Sequence, residues 1–258
     1  MDISKLSPKN HTEGRIEFFD IWRGLVIVSM VLFHFVYDLV YLSGMHLSWF
    51  ASPFIDIWRA SISWSFLFIA GSMCAFSKNA LKRACLYGTL AALIFLTTSL
   101  AHIDVPISFG IIFCMAGSTL LEAVLQKFHI TLQGYIPAAI FFCIFLFTLR
   151  LPFGTIGIGP LNIQIPQILY TSDFFAWLGF PSKYFLSGDY YPLLPYAMLY
   201  LCGASFNRSA LKHGYPRTLM KLSFPIISEI GKHPLSIYLL HQPLLLLLVS
   251  LLTGRALF

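Results

Sequence analysis

The sequence predicts an all-α fold, a polytopic transmembrane helix bundle of about seven spans. Three observations carry that prediction. The chain is 57% hydrophobic with a mean hydropathy of +0.76 and only 11% charged residues, far too few to cover a water-soluble domain of 258 residues. Its apolar stretches repeatedly approach the roughly 20 residues that cross a hydrocarbon core of about 30 Å. Its lysines and arginines gather after alternate stretches, as loops on one side of a membrane do.

The candidate spans are 18–42, 54–77, 84–102, 106–126, 132–150, 191–206 and 234–253. The sixth is short, and the apolar region 163–180 could add a further span or a re-entrant element. Lys5, Lys9 and Arg15 precede the first span, and Lys78, Lys82 and Arg83 follow the second. Lys127 follows the fourth, and Arg208, Lys212, Arg217 and Lys221 follow the sixth. These clusters share one side if the N-terminus is cytoplasmic, which makes 1–16 a cytoplasmic tail and the remainder one integral-membrane domain. The polar start MDISKLSPKNHTEG lacks a signal-peptide cleavage site, so the first span is expected to stay in the mature protein. The charge of +6 fits basic cytoplasmic loops better than nucleic-acid binding. No two of the five cysteines form a CxxC pair; they read as small packing residues, with no metal or disulfide role.

The first span, RIEFFDIWRGLVIVSMVLFHFVYDLVY, carries Asp20, Arg23, His34 and Asp38. At about 100° per residue all four project from one stripe, which should face protein or water rather than lipid. About 24 Å of helix separates Phe18 from His34, placing the imidazole near the bilayer midplane, slightly toward the outer side. A histidine there is a candidate general base. Asp38, one turn on, could orient it or cap the outer helix end. Arg23 and Asp20 are either a structural ion pair or a phosphate-binding arginine and the carboxylate that orients it.

Elsewhere His46 lies beside Ser48 and Trp49 in the short loop 43–53, and His241 lies inside the last span ahead of Gln242 and the kink-forming Pro243. Asp189, with Tyr190 and Tyr191, opens the sixth span, and His102 and Asp104 close the third. The segment 151–190 is long and rich in Gly, Pro and aromatics, which points to function, since long structureless loops are uncommon. Its glycines lack the strand and the GK[ST] of a phosphate loop.

Several of these runs are familiar. RIEFFDIWRGLVIVSMVLFH, with D-x-x-R-G before a histidine, resembles the opening helix of the transmembrane acyltransferase superfamily. SFLFIAGS resembles its second-helix motif, and GKHPLSIYLLHQP its closing helix. With DYYPLLPY between them, the chain is most similar to the bacterial branch related to heparan-alpha-glucosaminide N-acetyltransferase. The resemblance implies an acyl-CoA donor, acetyl-CoA above all, entering from the cytoplasm. It makes Arg23, Asp20, Arg15 and Lys78 candidate donor contacts. His34 matches a first-helix histidine that activates an acceptor hydroxyl, and His46, in HLSW, resembles a luminal-loop catalytic histidine. Which of the two is the base stays open. FGIIF departs from the pattern by placing Ile112 and Phe113 where related sequences often continue to a histidine.

The resulting expectation is an acyl-CoA-dependent acyltransferase of a bacterial cytoplasmic membrane. It would move an acetyl group to a hydroxyl or amine of an extracytoplasmic acceptor, a glycan by family analogy. The catalytic candidates are His34, His46 and Asp38; Asp189, Tyr190, His241 and Trp49 are candidates for holding the acceptor. Membrane lipid surrounds the bundle, and both monomer and homodimer stay open. The alternatives are a proton-coupled transporter that relays protons through its intramembrane His and Asp residues, and a structural subunit without chemistry. No repeated halves of the transporter kind stand out.

Overall fold

The computed structural model describes residues 17–77, 79–130 and 132–255. Helix α1 (Glu17–Tyr37) runs into a π-helical turn, Asp38–Leu42. It is followed by α2 (Phe54–Ser72), α3 (Ala80–Ala101), α4 (Ile111–Lys127) and α5 (Tyr135–Thr148). A hairpin of β1 (Thr155–Ile158) and β2 (Leu161–Gln164) then precedes α6 (Leu193–His213), the short α7 (Arg217–Met220), α8 (Pro225–Lys232) and α9 (Pro234–Thr253). The chain is a helical membrane bundle, and five of its helices are each long and apolar enough to cross a bilayer on their own. These are α1 with its π turn, α2, α3, α5 and α9.

The remaining two expected spans are helices of different character. The 17 residues of α4 rise about 25 Å. It starts later than expected because 106–110 is extended and pairs with the chain entering α6: Tyr191 N–H donates to Phe109 O at 2.8 Å and Gly188 N–H to Pro106 O at 3.2 Å. The sixth is 21 residues long rather than short. Its polar second half continues the helix because Asn207 and Arg208 find partners inside the protein. The apolar region 163–180 is neither a span nor a re-entrant helix. Pro166 and Gly179 interrupt it, and it folds as the end of β2 and two 3-10 turns, Gln167–Tyr170 and Asp173–Leu178.

Alternation of the helices gives the bundle two ends. The basic end holds the start of α1, the α2–α3 and α4–α5 turns and the chain from the end of α6 to α9. The far end holds the loops 43–53, 102–110 and 151–192. Two crossings bring helices almost into backbone contact. Gly24 of α1 lies under the Ile227 carbonyl while Gly231 of α8 lies under that of Asp20. Gly71 of α2 and Gly203 of α6 meet the carbonyls of Tyr200 and Phe68 in the same reciprocal way. Association without a hydrophobic drive depends on such small residues, and any side chain here would push the helices apart. One core cluster centres on Leu67, Cys114, Phe145 and Tyr200. A second, of Phe19, Met30, Phe33, Phe50 and Ile62, joins α1 and α2 beneath the 43–53 loop.

Candidate functional site

The first and last spans bring two histidine rings together, edge to face. The ring centroids of His34 and His241 are 4.9 Å apart, with planes at 62°. His241 is buried, and its Nδ1 lies 2.6 Å from the Tyr238 carbonyl. A carbonyl can only accept, so Nδ1 carries the proton and Nε2 keeps a bare lone pair in the neutral ring. That Nε2 is buried with no hydrogen-bond partner among the described residues. Pro243, inside the same helix, has no N–H to give the Leu239 carbonyl one turn back. An aromatic wall surrounds the pair, with Phe33 edge-on to His34 at 5.7 Å and Tyr238 at 5.6 Å from His241.

One turn toward the far end, Gln242 Nε2 donates to both oxygens of the fully buried Asp38, at 3.0 and 3.1 Å. Asp38 is thus engaged by α9 and makes no hydrogen bond to His34. Gln242 Oε1 is also buried without a hydrogen-bond partner among the described residues. Beyond it, Tyr37 Oη donates to Asp104 Oδ2 at 3.3 Å, tying α1 to the loop after α3. Asp104, which the sequence places at the end of the third span, is thus tied to α1 one residue before Asp38.

The other expected residues distribute around this centre. His46 is exposed in the loop over the far end of α1 and has no hydrogen-bond partner among the described residues. Trp49 is half-exposed and packs edge-on against Phe50 and Phe54. Asp189 caps α4: its Oδ2 accepts the Ile111 N–H at 3.1 Å. Burial pushes its carboxyl up to about 6, against the pull of the Ile111 N–H and the Arg59 guanidinium. Tyr190 donates its hydroxyl to Ala176 O at 2.7 Å, which pins the 151–190 segment rather than presenting the phenol to a ligand. At the basic end Asp20 is buried and ion-paired with Arg23, whose Nε also donates to Phe19 O at 3.3 Å. Arg15 and Lys78 lie outside the described residues.

Sequence reasoning missed the polar groups that stitch the basic half together. Arg83 donates to Ala70 O at 2.7 Å and Met73 O at 3.2 Å, placing a cation on the C-terminus of α2. Glu122 of α4 pairs with Arg208 of α6 and accepts from Gln126 at 3.0 Å. Tyr200 Oη is hydrogen-bonded to Cys74 Sγ and Thr119 Oγ1, both at 2.7 Å. The signal available was Glu122 within an otherwise uncharged span. Among the described residues no three His, Cys, Asp or Glu side chains converge as a metal site.

These features agree with what the chain is similar to. No curated protein and no solved structure matches it. A family model, heparan-alpha-glucosaminide N-acetyltransferase, catalytic, matches residues 15–243, a stretch that runs from the start of α1 through the His241 turn. The chain belongs to that acetyltransferase catalytic family.

Proposed function

We propose that this membrane acetyltransferase takes its acetyl group from acetyl-CoA at the basic, cytoplasmic end and delivers it to a hydroxyl or amine of a glycan acceptor entering from the far side. His34 and His241 form the reaction centre. The observation that carries this reading is the buried Nε2 of His241, without a hydrogen-bond partner among the described residues, on a ring whose centroid lies 4.9 Å from that of His34. A neutral imidazole nitrogen with its lone pair unused is a ready general base. The acceptor oxygen or nitrogen attacks the thioester carbonyl, the imidazole takes the proton, and the carbon–sulfur bond breaks. The departing CoA thiolate then takes that proton back, so no net charge is left in the bundle.

Arg23, with Asp20 holding it, is the candidate for the donor's phosphates, together with the basic residues Arg15 and Lys78. Trp49 and Asp189, with the exposed His46, belong to the acceptor side, and Tyr190 serves it by pinning the 151–190 segment. The helix walls keep bulk water from competing for the thioester. The family match lends nothing to a proton-coupled transporter.

The test is calorimetric titration of CoA into purified full-length protein, followed by transfer of labelled acetyl to a panel of sugars. Saturable binding that weakens in Arg23→Ala supports the donor assignment, and His34→Ala should keep binding while losing transfer. Absence of CoA binding by folded wild type would overturn the reading.

A further inference from the structure

The β hairpin at the far end carries an aliphatic side that is largely exposed. Successive side chains of a strand alternate between faces, so the registered pairs Ile156↔Ile163 and Ile158↔Leu161 lie together on one side. The pairs Thr155↔Gln164 and Gly157↔Asn162 lie on the other. In a water-facing hairpin the aliphatic side would pack inward. Here Gly157 is buried and Thr155 and Ile156 are half-buried where β1 packs on α5, β2 is exposed throughout, and on the aliphatic side Ile158, Leu161 and Ile163 are 57%, 72% and 55% exposed.

The hairpin cannot simply fold its apolar side down. Ile165 N–H donates to Gly154 O at 2.9 Å, Thr155 N–H to Arg150 O at 3.4 Å, and Tyr170 Oη to Leu151 O at 2.6 Å. These bonds hold it to the end of α5. From Leu151 to Ser172 the chain has no charged residue, so nothing on this surface resists leaving water. The exposed aliphatic side also continues a surface that is already apolar. The outward residues Ile136, Ile140 and Ile144 of the membrane-crossing α5 lead through the exposed Phe153 into the hairpin.

We propose that this face of the hairpin lies in the headgroup–acyl boundary of the membrane leaflet at the far end, as an interfacial anchor that spans nothing. The occupant is lipid, because the face prolongs the lipid-contacting side of α5 and carries no charge to suit a polar partner. Tyr170 and Trp177, in the turns that follow, are the residue types that settle at such boundaries. The anchor fixes the height of the 151–192 segment, and with it Asp189 at the mouth of α4, against the bilayer surface.

The experiment uses the full-length protein in phospholipid nanodiscs, with the exposed Cys85 and Cys143 replaced by serine and Leu161→Cys carrying an environment-sensitive fluorophore. Ile158→Cys serves as a second site, and Lys183→Cys, exposed on the same end, as the reference. The expected result is blue-shifted emission at both hairpin sites, quenched by doxyl-labelled lipid and little affected by aqueous iodide. Iodide quenching equal to that at position 183 would overturn the proposal. So would a blue shift persisting in detergent with neither quencher effective and the mass of two chains, which would make the face a contact between copies.

Discussion

The two halves of the bundle both bury polar side chains, and they treat them differently. At the basic end, bonding capacity is largely used up: Glu122 with Arg208 and Gln126, Tyr200 between Cys74 and Thr119, Ser72 Oγ between Phe68 O and Gly203 O, and Asn207 between Ser72 O and Tyr215. Arg83 Nε is the exception there. In the other half, three buried atoms have no hydrogen-bond partner among the described residues: Thr155 Oγ1 and, on adjacent residues of α9, His241 Nε2 and Gln242 Oε1. An unmade hydrogen bond in an apolar interior costs about 1–3 kcal/mol, so a fold keeps such groups mainly where a ligand completes them. Polarity inside a membrane therefore does not mark a site by itself; two adjacent residues that both keep spare acceptors make the His241 turn the place to test.

The sharpest way to break this contrast is at His241. His241→Asn keeps a donor for the Tyr238 carbonyl but offers no titratable nitrogen. Loss of a general base lowers turnover by about 10²–10⁴-fold, and that is the expected fall in labelled-acetyl transfer, with CoA binding unchanged. Thr119→Val, in the basic half, should stay close to wild-type turnover while its melting temperature falls. Full activity in the His241 variant would show that the facing imidazoles are packing residues.

Glu122→Gln tests the other half from the stability side. Removing one partner of a buried ion pair leaves Arg208 uncompensated and costs about 3–5 kcal/mol. Thermal unfolding in detergent should shift down strongly, while the KM for donor in the folded fraction stays put. A variant as stable as wild type would mean that solvent already reaches this pair. A smaller effect belongs to Gln242→Leu. It strips both hydrogen bonds from Asp38 and should cost about 1–3 kcal/mol, with a partial loss of activity as α1 and α9 lose their clamp.

The stripe along α1 was legible because helical geometry alone aligns Asp20, Arg23, His34 and Asp38. His241 was legible as a titratable group inside a span. Their meeting was not, since the Asp38–Gln242 contact joins residues 204 positions apart and no local pattern encodes which helices become neighbours. Hydropathy ended the sixth span at 206 because it scores Asn207 and Arg208 as breaks, whereas the fold satisfies both with buried partners. It also promoted 163–180 to a candidate span, because it counts apolar residues without registering that Pro166 and Gly179 forbid one continuous helix. The second and closing motifs showed their glycines without their purpose. Gly71 and Gly231 permit backbone contact at two crossings, which only the packed helices reveal.

The mildest test lies at the mouth, where Asp189 belongs to neither half. Its native carboxyl is pushed up to about 6, above the ordinary aspartate range, by burial that outweighs the Ile111 N–H and Arg59. A carboxyl that binds its proton more tightly in the fold than in the unfolded chain stabilises most when both states are protonated. That stability is present below the unfolded value, is lost as pH rises through the native one, and is flat above it. Asp189→Asn cannot titrate, so the difference in melting temperature, wild type minus variant, should shrink as pH is raised from about 4 to about 7. A difference that widens over the same window would mean that the carboxylate is held charged, with the Ile111 N–H and Arg59 dominant. Asp189 would then behave like the satisfied polar groups of the basic half rather than like His241.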